Sequence, residues 1–453
     1  MTQSPNGLEG PVAGGRGQPF SASVIDLAPH GYEEIEYFIS GHASRFAPAD
    51  GATFEQHGRW KAVAGEPTPY RTRILVRRPS PERFNGTVVV EFMQEYFGVE
   101  RDTNYRWNAE TLVREGFAWV GASLHHEGVD VRGRTELSFG DVKFQTGPAL
   151  AEWDPERYGS LVLPDSDLCY DILSDVGRAV GPDRGAVGND PLAGLDVRRV
   201  LAVGNTIAGA RLQQYINAVH PLHQVFDGFF LQDLKDEHLT LSAGATPPPG
   251  PWIRTDVDVP TIVLNTTTAA MDTTRQTEGP FLRFWEPAGS SHTTGPFMAR
   301  VAEVTKRDLD ADTPLGPPER ANTFPVHYIS GAALVALHQW AAGGEAAQTF
   351  PVIDRTGEGP DALPPFDEVG NVEGGLRTPW VDVPVARYEW RGDSLGGSGR
   401  TFPFSDDELA KLYGTPHEYR RRFAAAAHEA ERRGVLLPED ALTAIEDSRK
   451  VQW

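Results

Sequence analysis

Short apolar runs separated by polar turns fill the chain up to about position 285, and they carry two different periods. Glu34-Ile-Glu-Tyr-Phe-Ile-Ser40 alternates as a half-buried strand does, and 70–77 alternates less cleanly. Gly86-Thr-Val-Val-Val-Glu-Phe92 and Phe117-Ala-Trp-Val-Gly-Ala-Ser123 are continuous and rich in β-branched or aromatic residues, which predicts strands buried on both faces. Between these two, 108–115 has a helical pattern, and 165–180 has another. Further strands are predicted at 198–203, 225–231, 261–264 and 281–285, with helices from 207 to 220 and over 330–342. Strands alternating with helices predict an α/β fold with a mostly parallel central sheet flanked by helices.

Two stretches interrupt the alternation. Residues about 127–164 are rich in Gly, Pro and charge and read as an insertion above the sheet, and about 296–325 reads as a second, loop-rich one. Either could close over a site as a lid. Residues 1–30 hold much Gly, Pro and Ser and read as a flexible leader, so one domain is expected over 31–453. A tail over about 403–447 opens with Ser405-Asp-Asp-Glu408, a capping box, and continues as a basic, Ala-rich helix to about 433.

Composition narrows the function classes. Asp+Glu number 63 against 42 Lys+Arg, a formal charge of −21, which disfavours nucleic acid or an anionic membrane as partner. The N-terminus lacks a secretory signal, and no apolar run approaches membrane-spanning length, so a cytoplasmic protein with a small-molecule substrate is expected. Oligomeric state is not legible. The single cysteine, Cys169, excludes an internal disulfide and a cysteine-based metal cluster; in its helical context it reads as a core residue. No cofactor and no metal is expected.

The candidate chemistry centres on Val200-Leu-Ala-Val-Gly-Asn-Thr-Ile-Ala-Gly209, a strand running into a helix. Gly204, Ala208 and Gly209 supply the small neighbours that a nucleophile elbow needs, with Thr206 at its apex. A threonine at a strand end also serves as a helix cap, and the pattern alone leaves both readings open. At an elbow, Thr206 would adopt positive φ, which is costly for a β-branched residue. His292, after a later strand and a Gly-Ser-Ser turn, is the candidate base. After 261–264, Asp272 is the nearest carboxylate and Glu278 the next, although Asp272 also reads as a solvent-facing helix residue. The N–H of Ile207 and the loop Gln94-Glu95-Tyr96 would form an oxyanion hole. His125 and His126 follow another strand end. Adjacent residues of an extended chain point opposite ways, so at most one faces the site and a His-His metal pair is disfavoured.

These residues also carry a resemblance. Tyr70-Arg-Thr-Arg-Ile-Leu-Val-Arg-Arg-Pro79, Arg83-Phe-Asn-Gly-Thr-Val-Val-Val-Glu91, Tyr158-Gly-Ser-Leu161, Trp285-Glu-Pro-Ala-Gly-Ser-Ser-His292 and Gly370-Asn-Val-Glu-Gly-Gly-Leu-Arg-Thr-Pro-Trp-Val-Asp-Val-Pro384 resemble the large bacterial α/β-hydrolase domain family. The resemblance implies a Ser-His-acid esterase site. The histidine falls on His292. The serine falls on Thr206, the acids fall near Thr267 and Ala269, and Gln94-Glu95-Tyr96 replaces an Asn-containing loop. The scaffold is kept while the site is rebuilt.

Three functions fit this pattern. One is hydrolysis of an ester or lactone, with Thr206 attacking, His292 as base and Asp272 orienting it. Another is a lyase, isomerase or cyclase reaction, in which His292, with His125 or His126 and Glu95, moves protons while Thr206 holds the substrate. The third is a catalytically inactive binding member.

Overall fold

A computed structural model of the protein describes residues 7–139, 142–184, 189–237, 239–313, 315–357, 361–392 and 397–453. The sequence reads as a leader and one domain, whereas the backbone divides into two compact units. The first runs up to Thr261 and includes Thr274–Phe281 and Arg307–Leu309; the second holds Ile262–Thr273, Leu282–Lys306 and Asp310 onward.

The first unit is built on strands β1 (Leu8–Glu9), β2 (Tyr32–Ala43), β3 (Thr68–Pro79), β4 (Thr87–Phe92), β5 (Ala118–Ala122), β6 (Arg199–Asn205) and β7 (Gly228–Gln232), in the spatial order β1-β2-β3-β5-β4-β6-β7. β1, β2, β3 and β5 pair antiparallel in turn; β5, β4, β6 and β7 run parallel. The parallel strands are buried throughout, which is why they read as continuous apolar runs rather than alternating ones. Helices α1 (Thr103–Arg114), α2 (Cys169–Val180) and α3 (Ile207–Ala218) pack against them. The register sets Glu91 beside Val203 and Asn205 beside Gln232, so the carboxyl ends of β4, β6 and β7 lie together. Ligands of parallel sheets bind at such ends.

Two departures from the sequence pattern have physical causes. Helix α1 begins earlier than 108–115 because its cap comes from another element. The carboxylate of Glu91, on β4, accepts the N–H groups of Asn104 and Tyr105, both at 2.8 Å, and the indole N–H of Trp119 at 3.0 Å. Burial, with Asp102 nearby, pushes Glu91 up to about 8, and the three donors act against that rise. Residues 7–30, expected to be a flexible leader, are tied down at several points. Leu8 and Glu9 pair with β2, and Phe20 N–H donates to the Tyr158 hydroxyl at 3.0 Å. Ser21 joins a buried ion cluster in which Asp102 accepts from Ser21 Oγ (2.9 Å), Arg77 (2.8 Å) and Arg106 (2.7 Å). Burial alone would raise Asp102, but Arg106 and Arg77 hold it below the usual carboxylate range.

In the second unit, β8 (Thr261–Leu264, from Ile262 on) and β9 (Leu282–Trp285) are joined at their ends by Asn265 N–H to Trp285 O at 2.9 Å. The apolar helix Val326–Ala341 is largely buried. The tail keeps its capping box at Ser405 and Glu408 but forms three helices, Asp406–Tyr413, Pro416–Arg432 and Pro438–Ser448. Gly414 at φ 75° and Pro416 end the first and start the second. The stretch 296–325, expected to be loop-rich, opens inside the helix Gly295–Leu309, which has a proline in its first turn. No helix among the described residues is long and apolar enough to cross a membrane.

Candidate active site

Thr206 separates β6 from α3 with φ 51° and ψ −111°, and its side chain makes no capping hydrogen bond. The backbone is therefore in the strained turn of an elbow, not in cap geometry. Its surroundings fix that turn. Thr206 N–H donates to Gln232 O at 3.0 Å, and Ala210 N–H donates to Thr206 O at 2.9 Å. A Cβ on Gly204 would lie 2.7 Å from the Ala208 carbonyl oxygen, so only glycine lets the strand and helix close this tightly. Thr206 is 2% exposed, and its hydroxyl donates to Asn205 Oδ1 at 2.7 Å.

Gln94–Tyr96 and Val99–Arg101 form a two-stranded hairpin directly after β4. Its turn residues Phe97 and Gly98 both take positive φ (58° and 78°), as a tight two-residue hairpin turn demands. Beside this hairpin lies a cavity of about 420 Å³. Its wall includes Ile207, the residue after the apex of the elbow, together with Glu95, Tyr96 and Phe97. The insertion 127–164 supplies much of the rest, including Glu127, Val131 and Thr146. The Glu95 carboxylate accepts Gly98 N–H; burial pushes its pKa up to about 6.

The two histidines diverge where the extended backbone at His125 enters the short helix His126–Val129. His125 is buried, lies with its ring 5.0 Å from the Phe92 ring at a 53° tilt, and has an enclosed Nε2 without a partner. Burial and Arg211 push it down to about 3, so it is neutral. His126 turns away: its ring nitrogen Nδ1 lies 2.5 Å from Leu163 O and its N–H donates to Ser166 Oγ at 2.9 Å. Cys169 is buried, and burial pushes its thiol up to about 12, as suits a core residue rather than a nucleophile.

In the second unit, the loop after β9 carries His292. Its N–H donates to Thr268 Oγ1 at 3.1 Å, Thr268 Oγ1 donates to Trp390 O at 2.6 Å, and Thr267 N–H donates to Ser290 Oγ at 3.0 Å. The threonines after β8 thus fasten the histidine loop at positions where the family resemblance implied an acid. Gly397, at φ 61°, lies against the imidazole: a Cβ there would come within 3.4 Å of His292 Cβ. Asp272 ends the short helix Thr267–Asp272, is exposed, and forms an ion pair with Arg391.

An alpha/beta hydrolase domain model matches residues 8–446. The chain belongs to the alpha/beta hydrolase domain family. This hydrolase-family chain matches no curated protein. Among solved structures it is similar to a Klebsiella pneumoniae protein assigned as a dienelactone hydrolase, with 16% identity, a TM-score of 0.31, and coverage of 60% of this chain and 97% of that one. It is also similar to the apo form of Thermogutta terrifontis esterase 2, at 12% identity and a TM-score of 0.27, covering 43% and 67% of the two chains. A third is a mutant of esterase rPPE complexed with (S)-Ac-CPA, at 14% identity and a TM-score of 0.27, covering 54% and 66%.

The sequence pattern did not single out Asn205, whose Oδ1 accepts the Thr206 hydroxyl hydrogen bond, or Arg101, which closes the hairpin opposite Gln94. Asn205 was visible only as the residue inside the elbow motif. Nothing in the local sequence marks Arg101.

Proposed function

We propose that this alpha/beta hydrolase cleaves a small-molecule ester or lactone. The Thr206 hydroxyl attacks the carbonyl carbon while His292 takes its proton. Ile207 N–H and the Gln94–Tyr96 hairpin stabilise the developing oxyanion. His292 then protonates the leaving alcohol, and water releases the acyl group from Thr206. Asp272 is the carboxylate to test as the orienting group of His292. The observation that carries this reading is the Thr206 backbone at φ 51° and ψ −111°, without a capping bond. The cavity of about 420 Å³ at Ile207 is of a size that takes a small ligand. A chromogenic ester should give a burst of product that Thr206→Ala abolishes and His292→Ala suppresses. Slow turnover without a burst, unchanged by Thr206→Ala, would refute the reading.

One observation favours a second reading. The Thr206 hydroxyl donates to Asn205 Oδ1, an acceptor that is not a base. In a lyase, isomerase or cyclase, Thr206 would hold the substrate while His292 and Glu95 move protons. In that case His292→Ala stops turnover and Thr206→Ala does not.

A further inference from the structure

Buried arginines in the first unit are matched to carboxylates. Arg73 meets Glu36 and Glu100, Arg77 meets Glu34 and Asp102, Arg106 meets Asp102, Arg157 meets Glu36, and Arg211 meets Asp167. Arg101, half-buried, has no such match. Its Nε is enclosed and has no partner, and among the described residues nothing forms a salt bridge or hydrogen bond with its guanidinium. Burial and the nearby Arg106 push it down to about 10, with Glu95, Tyr96 and Asp102 acting against that fall, so it stays charged at neutral pH. An enclosed guanidinium N–H without an acceptor is unfavourable unless something external completes it.

Its position says what that could be. Arg101 pairs with Gln94 across the hairpin, and its charge acts on Glu95 and Tyr96, two residues of the cavity wall. The strand leading into the hairpin, β4, lies between β5 and β6 in the sheet. Both neighbours also end in enclosed polar atoms without partners, His125 Nε2 after β5 and Asn205 Nδ2 at the end of β6. Three adjacent carboxyl ends therefore carry unsatisfied hydrogen-bonding groups, and buried polar groups are otherwise almost always satisfied. We propose that Arg101 receives an oxyanion of the substrate, a carboxylate or a phosphate, at the hairpin edge of the cavity. The planar guanidinium fork suits either group. Glu95 and Glu127 on the wall oppose an anion; the raised proton affinity of Glu95 lessens that repulsion as pH falls toward about 6, while Glu127 is held below its ordinary value. The inference deepens the ester reading by assigning a charged substrate, and its test reads binding, not turnover.

The experiment is calorimetric titration of the full chain with glutarate, with inorganic phosphate and with neutral glutaramide. Wild type should bind glutarate or phosphate saturably and glutaramide not at all, and the better of the two names the oxyanion. Arg101→Gln should weaken that binding roughly tenfold or more, and Arg101→Lys should weaken it less. Because Arg101 has no internal partner, both variants should melt close to wild type. Absence of saturable anion binding by wild type, equal binding by Arg101→Gln, or a melting temperature that falls by several degrees in both variants would overturn the proposal. The same titration with Thr206→Ala separates the two readings. Unchanged binding there leaves Arg101 assigned even if the ester chemistry fails.

Discussion

Replacing Thr206 separates strain from chemistry. Its angles, φ 51° and ψ −111°, cost a β-branched residue about 1–3 kcal/mol. Serine keeps the hydroxyl and its 2.7 Å bond to Asn205 Oδ1. It loses one buried methyl, worth about 0.8 kcal/mol, and relieves strain of similar size. Stability of Thr206→Ser should therefore stay within about 1 kcal/mol of wild type. Alanine also removes the hydroxyl and leaves the Asn205 oxygen without its donor, a loss of about 1–2 kcal/mol. In a chain this long that is a melting shift of only a few degrees. Activity should move quite differently. Thr206→Ala should lower kcat/KM for a chromogenic ester by about 1000-fold or more, while Thr206→Ser should match or exceed wild type, because a primary hydroxyl is less crowded. Stopped-flow burst amplitude and scanning calorimetry on the same preparations give both numbers. If Thr206→Ala keeps activity within about tenfold of wild type while melting many degrees lower, Thr206 is structural and the nucleophile assignment fails.

Asp102→Ala should be the most damaging change outside the elbow, because it removes the buried carboxylate that Arg77 and Arg106 share; a loss of about 3–5 kcal/mol is expected by calorimetry, and an unchanged melting temperature would show that the cluster contributes nothing. Gly204→Ala puts a Cβ 2.7 Å from the Ala208 carbonyl oxygen; it should cost about 1–3 kcal/mol and reduce ester turnover by more than Thr206→Ser does, measured in the same assay. Glu95 has its pKa raised from 4.5 to about 6 by burial, so the native state holds its proton more tightly. The stability it contributes is present below about pH 4.5 and is lost as pH rises through about 6. Melting temperatures across that window should fall in wild type by the equivalent of about 1 kcal/mol more than in Glu95→Gln, and parallel profiles would contradict the assignment.

What the sequence made legible follows from where each stabilising partner lies. The strand Thr261–Leu264 could be read to the residue, since a continuous apolar run bounded by Pro260 and Asn265 has its signal inside itself. The cap at Ser405 was legible for the same reason, its partner Glu408 being three residues away. The start of α1 was not, because its cap is the distant Glu91 on a strand. The 7–30 stretch reads as flexible by composition, yet Ser21 is held by Arg77 and Asp102, which are far along the chain. The tail's break at Gly414 to Pro416 was lost under an Ala-rich helical pattern on its far side. At Thr206, cap and elbow use the same residue types, and only the backbone angles distinguish them.

Those angles also bear on why the site exists. A threonine serving only the fold could relax to ordinary cap geometry. It would shed about 1–3 kcal/mol of strain and gain a bond to a free N–H of α3, worth about 0.5–2 kcal/mol. Thr206 does neither. Gln232 holds its N–H, Gly204 lets the Ala208 carbonyl approach, and its hydroxyl is turned toward Asn205. The stabilisation left unrealised is a sizeable share of the roughly 5–15 kcal/mol that keeps a domain folded. Strain of that size persists where the surrounding structure enforces it, and here the enforcing residues come from two adjacent parallel strands and the first turn of a helix. That convergence on one hydroxyl, next to a cavity whose wall includes the neighbouring Ile207, is the physical support for giving Thr206 a role in chemistry.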